Sequence, residues 1–86
     1  METQVIDDHG TFNDKWLDML DRMTKVEALS HVTDVLNKTI EMRDRYQSIM
    51  LGSVGGEFEI ARHGYVIDCN NIIKLKRLRD DIYSET

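Results

Sequence analysis

The 86-residue chain contains no proline, a single cysteine and only 7% aromatic residues. Each shortage excludes something. One cysteine, Cys69, cannot build an internal disulfide framework, so packing must hold the fold, and this usage fits a reducing compartment. Without proline, no residue forces a break in a helical pattern. No apolar run approaches the ~20 residues needed to span a bilayer. The opening stretch Met1–Gly10 is acidic and does not read as a signal peptide. His9, His31, His63 and Cys69 share no short ligand spacing, which argues against a metal site. Glycine is scarce too, but four of the five fall together, at Gly52, Gly55, Gly56 and Gly64.

What is present is ordinary for a globular domain: 41% hydrophobic and 31% charged residues. A chain this short buries only about 60–65% of its unfolded surface, so a permanent partner is expected. The formal net charge is −5, and it is unevenly placed. Residues 1–34 hold eight acids and three bases, whereas residues 35–86 hold eight of each. The front therefore carries the whole excess, which disfavours general nucleic-acid binding.

Residues 1–12 lack periodicity and read as an extended or flexible acidic arm. Asn13 is placed to cap a short helix with Trp16, Leu17, Leu20 and Met23 on one stripe. Thr24-Lys25-Val26-Glu27 is a capping box and predicts the start of a long helix. That helix carries Leu29, Val32, Leu36, Ile40 and Met50 on one line, with Ala28, Val35, Met42 and Ile49 beside it. Gly52 stands where a left-handed C-terminal residue belongs. Beyond it the period changes to two. Glu57-Phe58-Glu59-Ile60 alternates, and Tyr65-Val66-Ile67-Asp68-Cys69 is rich in β-branched and aromatic residues, with Gly64 between the runs. This predicts a two-stranded antiparallel β-hairpin, freed by Gly55 and Gly56 and anchored by Phe58, Ile60, Tyr65 and Ile67. Asn70 and Asn71 then offer a cap for a C-terminal helix with Ile72, Leu75, Leu78 and Ile82. The expected fold is α+β: residues 13–86 as one small domain of short helix, long helix, hairpin and helix.

No catalytic constellation emerges. The glycines follow a helix and lack the Lys-Ser/Thr pair of a phosphate loop. Cys69 has no adjacent activating base and reads as a small core residue. Glu57 and Glu59 share a solvated face with nothing to enclose them, so acid–base work is not indicated. The basic run Lys74, Lys76, Arg77 and Arg79 suits contact with an acidic partner surface or simple solvation. Head-to-tail attraction to the acidic front of another copy is one form of the first.

Two resemblances follow. Tyr46-Gln-Ser-Ile-Met-Leu-Gly52, a hairpin, and Ile72-Ile-Lys-Leu-Lys-Arg-Leu-Arg-Asp-Asp-Ile82 together resemble the gpW family of phage head–tail joining proteins. The likeness covers about residues 42–83. It implies a non-enzymatic virion protein of the phage neck, assembled in the host cytoplasm. Such a protein forms a ring with other copies of itself and contacts portal and neck or tail proteins. It implies no cofactor, metal, membrane or sequence-specific nucleic acid. Lys74, Lys76, Arg77, Arg79, Glu57 and Glu59 would then form the partner interface. The front, Trp16-Leu17 with Leu20 and Arg22, followed by Val26-Glu27, Leu29 and His31-Val32, is similar to the first helices of the Hha/YmoA nucleoid modulators. That implies the alternative, a small regulatory binding protein such as a nucleoid modulator or a phage inhibitor of a host factor.

Overall fold

The computed structural model describes residues 5–7 and 10–84. Three helices account for nearly all of it: α1 (Asp14–Asp21), α2 (Lys25–Gly52) and α3 (Gly56–Ser84). The starts of the first two follow from local chemistry. The Asn13 side chain accepts hydrogen bonds from the Lys15 and Trp16 backbone N–H groups, at 2.9 and 3.4 Å. Thr24 and Glu27 complete the capping box, with the Glu27 N–H donating to Thr24 Oγ1 at 3.2 Å. These contacts satisfy N–H groups that have no partner within the helix.

The expected β-hairpin is absent. Residues 57–69 lie inside one unbroken helix that runs through Gly64, Asn70 and Asn71 as well. The fold is therefore all-α among the described residues, where the one β pairing is an isolated Ile6–Phe12 bridge. A longer period explains the correction. Phe58, Ala61, Tyr65, Asp68, Ile72, Leu75, Arg79 and Ile82 repeat at alternating three- and four-residue steps, and all are buried or half-buried. That is a heptad seam against a partner helix. The short alternation in Glu57–Ile60 belongs to the first turn of this pattern, and Ile60 falls off the seam, 75% exposed. Phe58, Tyr65 and Ile67 are half-buried along the helix rather than anchoring strands.

The glycines also take other roles. Gly52 ends α2 without a left-handed φ, and the position that needs one is Gly55, at φ +70 in the three-residue turn. Gly64 sits mid-helix because Tyr46 of α2 packs against it: a Cβ there would lie 2.6 Å from the ring. Glycine in a helix costs about 1 kcal/mol of propensity, here offset by close approach of the two helices.

α2 and α3 form an antiparallel hairpin within a molecule measuring 48 × 21 × 19 Å. Its core is lopsided. Trp16, Leu20, Ala28, Val32, Leu36, Ile72 and Leu75 form the buried cluster at the end where α1 lies. Toward the turn, Ala61 alone among the described residues is fully enclosed. The chain before α1 folds back onto this cluster, with Val5, Ile6 and Phe12 packed against it. Asn13 N–H donates to Val5 O at 2.8 Å, and Lys74 Nζ of α3 donates to Gly10 O at 2.6 Å.

Candidate functional site

Two surfaces stand out, and they join. The first is a cleft of about 480 Å³ between α1 and the middle of the hairpin. Its walls are Trp16 and Met19 from α1 with Val35 and Met42 from α2; Val5 closes one side. Trp16 is held in place because its Nε1–H donates to His31 Nε2 at 2.8 Å. That bond uses Nε2 as the acceptor, so the ring proton sits on Nδ1. Phe12 also packs against the indole, ring centres 5.7 Å apart.

Asp68 also lines this cleft, occupying a seam position of α3 where an apolar residue would be expected. Its Oδ2 is buried without a hydrogen-bond partner among the described residues. Burial pushes the Asp68 carboxyl above its ordinary value, because a charge removed from water is penalised. Lys15 and Lys38 border the same cleft, and neither is within ion-pair distance of Asp68. Thr39, across the seam, turns its hydroxyl to Val35 O at 2.9 Å instead.

The second surface is the continuation of this groove toward the turn. Val35, Met42 and Ile49 lie seven residues apart on α2, hence on one face. Lys74, Ile67 and Ile60 do the same on α3. At the lower end α1, with Val5, Ile6 and Phe12, covers both lines; Met42 stands at the edge of that cover, Ile49 and Ile60 lie beyond it, and all three are exposed. Arg45 borders the α2 line, with Nη1 3.9 Å from Met42 Sδ, and shares a heptad line with Lys38. At the tip, Leu51 is 85% and Val54 89% exposed.

The residues singled out from the sequence fall elsewhere. Lys74 holds Gly10 O, Arg79 lies 3.9 Å from Asp80, and Lys76 and Arg77 are exposed. Glu57 and Glu59 lie in the first turn of α3, with Glu59 3.6 Å from Arg62. The fold brings the basic run and the two glutamates to opposite ends of α3. Cys69 is half-buried on α3, His63 is exposed, and His9 lies outside the described residues. Among the described residues no three His, Cys, Asp or Glu side chains are grouped to hold a metal ion. Among the described residues no helix is long and apolar enough to cross a membrane. Sequence reasoning missed Asp68 and the Trp16–His31 pair. A carboxylate at a heptad core position was the available signal for the first.

Comparison with protein-family models, curated proteins and solved structures finds no match.

Proposed function

We propose that this chain is a non-enzymatic protein-binding module that receives a helix of its partner along the arm formed by α2 and α3. One observation carries the reading: the apolar α2 line that α1 covers at Val35 runs on through exposed Met42 and Ile49, beside exposed Ile60 of α3. A helix with its own apolar stripe would extend the layer that α1 begins, the helix-in-groove mode of recognition. Lys38 and Arg45 along one edge favour acidic residues flanking that stripe. This keeps the coarser part of the sequence reading, an assembly or regulatory protein. The ring-forming phage connector loses its main support, since the hairpin behind that resemblance is helix. The nucleoid-modulator resemblance rests on Trp16 to Val32, which α1 and the start of α2 occupy.

A photo-crosslinking residue placed at Ile49, Ile60 or Arg62 and expressed in the native host provides the test. Arg62 is exposed on the opposite face of the same helix. Positions 49 and 60 are expected to trap one common protein and position 62 none. Equal trapping from all three positions, or none from any, would sink the proposal.

A further inference from the structure

The cleft beside Trp16 has features that helix docking on the arm does not require. It combines an apolar wall, a buried acceptor without a donor, and two cations at its border. We propose that it binds a small zwitterion: an α-amino carboxylate with an apolar side chain, its ammonium on Asp68 and its carboxylate toward Lys15 and Lys38.

Each part of the ligand is called for by a separate observation. An unpaired buried acceptor costs free energy that a donor recovers, and a cationic donor recovers the most. An ammonium group has three N–H donors and a positive charge, matching a carboxylate that no ion pair reaches among the described residues. A bare amine would leave Lys15 and Lys38 facing a like charge, whereas a carboxylate on the same molecule removes that conflict. Met19, Val35 and Met42 supply the apolar wall, and methionines adapt to side chains of differing shape. The volume of about 480 Å³ lies within the range of small-molecule sites, roughly 300–1,000 Å³.

Trp16 is the sole tryptophan of the chain and lines the cleft, so its emission reports occupancy directly. L-Phenylalanine, phenethylamine and 3-phenylpropionate present the zwitterion, the amine alone and the acid alone on one apolar body. Titrated into the full chain, phenylalanine should shift the emission saturably, with phenethylamine weaker and 3-phenylpropionate weakest. Asp68→Asn should weaken phenylalanine and phenethylamine by about tenfold or more, the loss expected of a charged hydrogen bond. Lys38→Gln should weaken phenylalanine but leave phenethylamine unchanged or tighter. Circular dichroism of each variant verifies the helices, and the Lys38 split stands even if Asp68→Asn fails to fold. The proposal is overturned if no probe shifts Trp16 saturably at millimolar concentration, or if the acid alone binds as tightly as phenylalanine.

Discussion

At Asp68 burial and charge conflict within the seam. It replaces an apolar seam residue with a carboxylate whose buried oxygen has no donor among the described residues. Desolvation raises its folded pKa, so between the unfolded and folded values the folded state binds more proton than the unfolded chain does. Stability from this group is full below the unfolded carboxylate value and is lost as pH rises through the folded one. Asp68→Asn should therefore raise Tm at pH 7 and flatten the decline of Tm between acid and neutral pH. Thermal melts across that window check this; a variant less stable than wild type at pH 7 would mean that Asp68 is paired in solution. At the same scale, Val32 and Leu75 are fully enclosed in the cluster. Leu75→Ala should cost about 2–5 kcal/mol in urea unfolding, from lost burial and the cavity left behind.

At the scale of elements, the contact between Tyr46 and Gly64 fixes how closely α2 and α3 approach. Gly64→Ala gains up to about 1 kcal/mol of helix propensity. It also places a methyl group against the Tyr46 ring, and overpacking of this kind costs about 1–3 kcal/mol. A net loss is expected, and it should shrink or reverse in a Tyr46→Ala background. Chemical denaturation of the four-member cycle measures that coupling. The same pair shows what was legible in the sequence. Asn13, Thr24 and Glu27 declare their helix starts through contacts within four residues, and the structure keeps them. Gly64 looked like the tip of a β-hairpin because its cause lies on another helix. β-branched Val66 and Ile67 favour strands locally, but their propensity differences are tenths of a kcal/mol. The heptad seam against α2, burying Ala61, Ile72 and Leu75, outweighs them. The cleft was illegible for the same reason: Trp16, His31 and Asp68 line one cleft only once three helices are assembled.

Over the whole molecule, stability is unevenly distributed. The enclosed cluster lies where α1, with Val5, Ile6 and Phe12, closes over the hairpin, and the arm beyond is two helices with a thin seam. Native-state hydrogen exchange should follow that gradient. Amides around Val32, Leu36 and Ile72 should approach the global unfolding free energy, while those from Met50 to Ile60 open at a few kcal/mol less. Uniform protection along α2 would contradict the arrangement. Occupancy of the arm by a partner helix should slow exchange mainly in that outer half.

The cation of Lys74 reaches across to Gly10, and Lys25 lies 5.3 Å from the Tyr83 ring centre. The second contact gathers the start of α2 and the end of α3 at one pole, while the turn at Gly55 occupies the other. For anyone tethering the molecule, the two poles are therefore independent addresses. A surface, tag or fused domain joined through the C-terminal end of α3 leaves Leu51 and Val54 exposed at the far end of a 48 Å body.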